Sequence, residues 1–237
     1  MITLYAADTA NSSKVLIALE ELGLSYQAIP IDILSGEQFE QPLTELNPNS
    51  KIPVIVDIDG PDGRSHTVFE SGAILLYLAD KTGQLMPTGP AERSEAIQWL
   101  MVQMSTVGPM MGQLIHFARF APPGNDYALS RYRSQVRRVL DVLEHRLVGR
   151  DWIGTADYSV VDIANFPWVR PIKMFLGDEI EAAYPRLTEW TARIAARPAV
   201  SRADEAKAIL AAGLTKPDEI DPDKVDRLLG RGAYSRD

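Results

Sequence analysis

The chain opens with a short apolar run, residues 2–7 (ITLYAA), that reads as a strand. From Asn11 the period changes. Val15, Ala18, Leu19 and Leu22 fall at i, i+3, i+4 and i+7, which predicts a helix, and Gly23 supplies its stop. Tyr26 to Ile33 alternates loosely and is rich in β-formers; Val54-Ile55-Val56 is a second apolar run after Pro53. Asp59-Gly60 and Asp62-Gly63 mark a turn, and Thr67-Val68-Phe69 makes a further strand. Glu70-Ser71 then opens a helix containing Ile74, Leu75 and Leu78. The order β-α-β, loop, β-β-α is that of a thioredoxin-like α/β domain built on a mixed four-stranded sheet.

After Pro87 and Pro90 the strand signals cease. Helix-period segments follow at 91–118, 126–148, 160–176, 185–197 and 199–212. The expected organisation is a thioredoxin-like domain over 1–84 and an all-helical domain over 90–212. An extension over 213–237, mixing Pro, Gly and charges, completes the chain. Within the helical half, Ser159 and Asp162 are spaced as a capping box, with Tyr158 and Ile163 placed as a hydrophobic staple.

Composition narrows the function classes. Of 237 residues, 46% are apolar and 24% charged, which excludes disorder for most of the chain. The net charge of −8 argues against bulk electrostatic binding of nucleic acid. There is no cysteine, which excludes disulfides, thiolate metal sites and a catalytic protein thiol. His66, His116 and His145 are scattered without metal-ligand spacing, so no metal is expected. The N-terminus lacks the basic region of a signal peptide. Ala96 to Ala118 holds no charged residue, yet Gln98, Gln103, Gln113 and a central Gly108-Pro109 favour an interior helix over a membrane span. The simplest compartment for such a chain is the cytoplasm.

Charge is unevenly divided. Residues 1–80 carry 12 acidic and 3 basic side chains, the remainder 20 and 21. An anionic ligand on the first domain would therefore rely on helix N-termini, Lys51, and arginines from elsewhere.

Three segments could carry chemistry. In Lys51-Ile52-Pro53, directly before a strand, a cis proline peptide would turn the Ile52 N–H and C=O outward, able to pair with an extended peptide ligand; an ordinary strand-start proline is the plain alternative. Phe69-Glu70-Ser71-Gly72 sets a carboxylate and a hydroxyl at a helix start, suited to an ammonium and a carboxylate respectively, or merely to capping. Both features fall at the same end of a thioredoxin-like sheet, which fits a zwitterionic peptide. The turn Asp8-Thr9-Ala10-Asn11-Ser12-Ser13 places small polar side chains at a helix N-terminus, where a ligand thiolate could be held. A free thiol is only about 3% ionised at pH 7, and lowering its pKa by about two units needs roughly 2.7 kcal/mol. One or two hydrogen bonds and a helix end are of that size. Tyr5 lies in the strand pattern and is read as structural; Met101, Met104, Met110, Met111 and Phe117 are read mostly as core, with an apolar pocket for a second substrate as the alternative for some of them.

The chain resembles the cytosolic glutathione transferases over about residues 1–210, most closely the bacterial nu class of glutathione-dependent disulfide-bond oxidoreductases. The residues that carry the likeness are Ile2-x-Leu4-Tyr5 with Thr9, Asn11 and Lys14; Asn47-Pro48-Asn49 with Lys51-Ile52-Pro53; and Phe69-Glu70-Ser71-Gly72-Ala73-Ile74. Gly108-Pro109-Met110 with Gly112-Gln113 and His116-Phe117 is the more class-specific run, and Arg131-Tyr132 and Tyr158-Ser159 with Asp162 extend it.

The resemblance implies the glutathione transferase fold, a homodimer and glutathione as co-substrate. Ile52 would bond the cysteinyl backbone beside Pro53. Glu70 and Ser71 would hold the γ-glutamyl end, Gln38 and Lys51 the glycyl end, and Arg131 would reach in from the other subunit. Thr9 and Asn11 would govern the sulfur of one or two glutathiones, or of oxidised glutathione, with a small disulfide or electrophile as second substrate. Both thiols of an exchange would then come from ligands. Asp8 and Ala10 stand where that class usually has prolines, and Ser12-Ser13 replace a Gly-His-like pair. A serine-type transferase acting on electrophiles is therefore the alternative, and a non-catalytic scaffold module of the same fold the second.

Overall fold

The computed structural model describes residues 1–215 and 221–232. The chain forms two compact units, one of Met1–Tyr77 joined by the chain from Ser201 onward, the other of Leu78–Val200.

In the first unit, strands β1 (Ile2–Ala6), β2 (Tyr26–Pro30), β3 (Val54–Asp57) and β4 (His66–Phe69) form one mixed sheet in the order β2-β1-β3-β4. β1 runs parallel to β2 and antiparallel to β3, and β3 antiparallel to β4. The two-residue period of β1 is resolved by burial. Ile2, Leu4 and Ala6 are buried, while Tyr5 packs on a separate cluster with Ile31, Leu43 and Val54. That cluster takes in helix α2 (Leu43–Leu46), a short element without a sequence signal. Helix α1 (Ala10–Glu21) is buried from Ser12 through Leu19, and Gly23, at φ +61°, follows its end. Helix α3 (Ser71–Thr82) follows β4 directly, with Ile74, Leu75 and Leu78 buried as the spacing predicts.

The second unit is helical: α4 (Pro90–Val102), α5 (Gly108–Arg119), α6 (Asp126–Arg146), α7 (Val160–Val169), α8 (Lys173–Leu176), α9 (Glu179–Ala183) and α10 (Pro185–Ala195). Between α4 and α5 the chain makes a π-helical turn, Gln103–Val107. Pro109 explains it, because a proline cannot donate to the preceding turn and its ring crowds that carbonyl. Ala96, Leu100, Val107, Met111 and Leu114 are buried along this stretch, but Gln98, Met101, Ser105, Pro109 and Gln113 are exposed, so it is two helices with one buried face rather than the interior helix expected from its uncharged sequence. Among the described residues no helix is long and apolar enough to cross a membrane. The capping box is present: Ser159 caps α7 and Asp162 closes it. Asp162, wholly buried, also accepts from Ile153 N–H at 2.8 Å and from Trp190 Nε1–H at 3.0 Å, tying the preceding loop and α10 to α7.

Helices α11 (Pro198–Ala211) and α12 (Pro222–Leu229) follow. On α11, Arg202 pairs with Glu20 and Lys207 with Asp8, so its later turns lie against the first unit. Thr215 donates to Asp32 from both its N–H and its hydroxyl, and the Arg227 guanidinium sits 4.3 Å over the Phe39 ring. Of the extension expected over 213–237, residues 216–220 and 233–237 lie outside the described residues.

Candidate active site

The sheet register gathers the first-unit candidates. Tyr5 pairs with Val54 and Val54 with Phe69, so the end of β1, the start of β3 and the end of β4 share one end of the sheet. Thr9 lies just beyond β1, Ile52-Pro53 just before β3, and Glu70-Ser71 just after β4. β2 ends on the same side, since Ala6 pairs with Pro30, and the loop it feeds carries Gln38. Arg131 lies on α6 in the second unit, exposed.

The β1–α1 turn is organised by its own side chains. Thr9, extended at φ −131°, caps α1: its Oγ1 accepts from Ser12 N–H at 3.2 Å and donates to Ser12 Oγ at 3.0 Å. Ser12 Oγ also accepts from Ala7 N–H at 3.3 Å, and Ser12 is fully buried. Ser13 Oγ donates back to the Thr9 carbonyl at 3.0 Å. The hydroxyls of Thr9, Ser12 and Ser13 are thus all engaged within the turn; Ser12 and Ser13 are buried, while Thr9 and Asn11 lie half-buried on its rim.

The loop before β3 is held by a residue to which sequence reasoning assigned no role. Asn47, buried, donates from Nδ2 to the Lys51 carbonyl at 2.8 Å and accepts from Asn49 N–H at 3.0 Å. Its signal was present as Asn47-Pro48-Asn49, but a loop asparagine is common, and only the bond to Lys51 distinguishes it. Ile52–Pro53 is a cis peptide, Pro53 is buried, and Lys51 is exposed. The Ile52 N–H and C=O have no backbone partner among the described residues.

After β4, Glu70 adopts φ +71°, the left-handed region that non-glycine residues enter at a cost of about 1–3 kcal/mol. Ser50, just before Lys51, does the same at φ +50°. Strained backbone therefore flanks both candidate loops. The Glu70 carbonyl accepts the first helical bond of α3 from Ile74 N–H at 2.9 Å. Its side chain is exposed, whereas Ser71 is buried and accepts from Lys14 Nζ at 3.2 Å. Lys14 is 1% exposed. Burial lowers its pKa from 10.5 to about 7, against the opposing pull of Glu70. Its signal was a lysine one turn before Ala18, on the buried side of α1.

Gln38 sits in a single 3₁₀ turn, Glu37–Phe39, and is 3% exposed. Both its amide atoms lack a partner among the described residues. Buried amides are nearly always paired, so this one stands out among the described residues. Among the described residues no cluster of His, Asp or Glu is disposed to hold a metal ion. Chemically, the sheet end offers a peptide-like backbone edge at Ile52, a hydroxyl and a carboxylate at the start of α3, and a capped helix start at Thr9. That set suits a short zwitterionic peptide carrying a thiol.

The sequence matches the family described as Glutathione S-transferase, N-terminal domain, over residues 10–81, and Glutathione S-transferase, C-terminal domain, over 108–198. It is 42% identical over 205 residues to the disulfide-bond oxidoreductase YfcG of Escherichia coli K12, covering 86% of this chain and 94% of that protein. Among solved structures, a glutathione transferase family member from Pseudomonas fluorescens Pf-5, with two glutathione bound, superposes with a TM-score of 0.81. It is 42% identical, with coverage of 85% of this chain and 91% of the other. A glutathione transferase from Pseudomonas putida, with one glutathione disulfide bound per subunit, gives 0.80 at 39% identity, covering 85% and 90%. The chain belongs to the glutathione S-transferase family.

Proposed function

We propose that the protein is a glutathione-dependent disulfide-bond oxidoreductase with weaker transferase activity toward electrophiles. The carrying observation is the convergence at one sheet end of Thr9, Ile52 with its unpaired backbone, and the Glu70-Ser71 helix start. Glutathione lies along this edge. Ile52, beside Pro53, bonds its cysteinyl backbone, Glu70 takes the γ-glutamyl ammonium, and Ser71 the adjoining carboxylate. Lys51 and the unsatisfied Gln38 amide take the glycyl end. In a homodimer, Arg131 reaches the partner's ligand. Thr9 and Asn11 stabilise the thiolate. That thiolate attacks one sulfur of a disulfide, forming a mixed disulfide and expelling the other sulfur as thiolate. A second glutathione thiolate then attacks the mixed disulfide on its glutathione sulfur. Oxidised glutathione leaves with the substrate's second thiolate. No protein sulfur takes part, in keeping with a chain that has no cysteine. The relatives that hold two glutathiones or a glutathione disulfide support a site of that capacity. Because the reaction consumes reduced glutathione, its compartment is the cytoplasm.

The serine-type alternative is disfavoured by the turn itself. Ser12 is wholly buried and Ser13 nearly so, whereas Thr9 and Asn11 are half-buried on the rim of the turn. Turnover of a small disulfide with glutathione, set against turnover of an aryl halide, tests the proposal. Faster aryl-halide turnover that is abolished in Ser13→Ala would establish the serine-type enzyme. Calorimetry showing no binding of either reduced or oxidised glutathione would leave only a scaffold.

A further inference from the structure

The loop that carries Gln38 is tied to the C-terminal segment as well as to itself. Asp32 is its hub. One carboxylate oxygen accepts from Leu34 N–H and Ser35 N–H, both at 3.1 Å, and closes the turn. The other accepts from Thr215 N–H at 3.0 Å and from the Thr215 hydroxyl. The Asp32 N–H donates to Glu37 Oε2 at 2.7 Å, and Glu37 opens the 3₁₀ turn in which Gln38 lies. At the other side of that turn the Arg227 guanidinium of α12 sits 4.3 Å over the Phe39 ring. The two contacts of the C-terminal segment therefore bracket Gln38, and all of these residues belong to the first unit. Thr215 and Arg227 lie beyond residue 198, where the match to the family's C-terminal domain ends. Gln38 itself is 3% exposed, and neither of its amide atoms is paired among the described residues. An amide shut off from water and unpaired is unfavourable, so a loop free to relax would turn it toward solvent.

We propose that Thr215 and Arg227 are positioning residues for ligand specificity: by fixing the Asp32–Phe39 loop they hold the Gln38 amide unhydrated for the glycyl carboxylate of glutathione. This rests on the glutathione reading above and names, within it, the part of the chain that makes the site prefer the tripeptide to the dipeptide γ-glutamylcysteine. An amide already without water loses none when the carboxylate arrives, so the charge-assisted bond adds to affinity with little offset. Released from Thr215 and Arg227, the loop would let water reach the amide first, and the ligand would have to displace it.

Calorimetric titration of the full-length protein with reduced glutathione and with γ-glutamylcysteine, which lacks the glycyl residue, tests this as a ratio of dissociation constants. Thr215→Val/Arg227→Gln binds glutathione about tenfold more weakly, the size of one charge-assisted hydrogen bond, and γ-glutamylcysteine as the wild type does. Thr215→Ser/Arg227→Lys, which keeps the hydroxyl and the cation, restores the ratio. Gln38→Met narrows the ratio by itself, and adding Thr215→Val/Arg227→Gln to it changes nothing further. Equal weakening of both ligands would mean a general loosening of the first unit and would overturn the proposal, as would an unchanged ratio. Tighter glutathione binding in Thr215→Val/Arg227→Gln would overturn it too, because the C-terminal segment would then cover the amide rather than support it. A wild type that binds neither of these ligands nor oxidised glutathione would instead overturn the glutathione reading, and this inference with it.

Discussion

Asn47 offers the sharpest test of how the ligand edge is built. Its amide spans the loop before β3 through two hydrogen bonds, at 2.8 Å to the Lys51 carbonyl and 3.0 Å from Asn49 N–H. Each contributes about 1 kcal/mol net, so Asn47→Ala weakens the loop by about 2 kcal/mol. If ligand binding must then re-order residues 47–52, that loss appears in affinity as a dissociation constant about thirtyfold higher for oxidised glutathione. Asn47→Asp is the discriminating partner. It has nearly the same shape and keeps the acceptor for Asn49, but it sets a carboxylate oxygen against the Lys51 carbonyl and buries an unpaired charge. The expected order of affinity is therefore wild type, then Ala, then Asp, with kcat altered far less than KM for glutathione. Calorimetric titration alongside thermal melting measures both effects. An Asp variant that binds like the wild type, or an Ala variant with an unchanged dissociation constant, would refute the account.

Replacing Asp162 strips the acceptor from Ile153, Ser159 and Trp190; Asp162→Ala should lose about 4 kcal/mol in urea unfolding, and Asp162→Asn, which keeps one oxygen, about 2 kcal/mol. Burial raises the Asp162 pKa, against four opposing donors. The folded state therefore holds the proton more tightly, and this group's stabilisation is present in acid and lost as pH rises through the folded pKa. The gap between wild type and Asp162→Asn should widen on mild acidification. Lys14 has the opposite sign. With its folded pKa lowered to about 7, the unfolded chain holds the proton more tightly up to 10.5, so stability falls as pH drops across that window. Lys14→Met should be more stable than the wild type near neutrality, the gap narrowing by about 1.4 kcal/mol per pH unit toward 10.5, as denaturant titrations at two pH values would show. Thr9→Ala should lose about 1 kcal/mol with the cap of α1 and lower disulfide turnover about tenfold, whereas Thr9→Ser and Ser13→Ala should retain most of the activity in the same assay.

The elements of both units were legible wherever burial imposed a period. Val15, Ala18 and Leu19 announce α1, and the apolar run of residues 2–7 announces β1, because both elements lie in the core: α1 is buried from Ser12 through Leu19, and Ile2, Leu4 and Ala6 are buried in β1. The capping box was readable because Ser159 and Asp162 satisfy helix-end donors at a fixed spacing. The short α2 and the 3₁₀ turn around Gln38 were not readable, since four and three residues are too few to show a period. The π turn was hidden as well. Its Pro109 was visible, but a proline within a helical stretch does not by itself say whether the helix stops, kinks or widens. At the site, residue types were legible and roles were not. Ser12, Ser13, Thr9 and Asn11 looked interchangeable in one polar turn, and only burial separates them, the two serines being buried and Thr9 and Asn11 half-buried. Lys14 was visible as a residue of the family pattern, but its enclosure beneath Ser71 depends on how α1 and α3 meet.

The first unit is discontinuous, since residues from Ser201 onward pack with Met1–Tyr77. During synthesis the ribosome delivers the sheet first and its last partners only after more than half of the polypeptide has emerged. Until then Asp8, Glu20, Asp32 and the ring of Phe39 await Lys207, Arg202, Thr215 and Arg227. The first unit can therefore complete its packing only after residues 201–227 have emerged, and a nascent chain stalled before them would carry the sheet without these contacts.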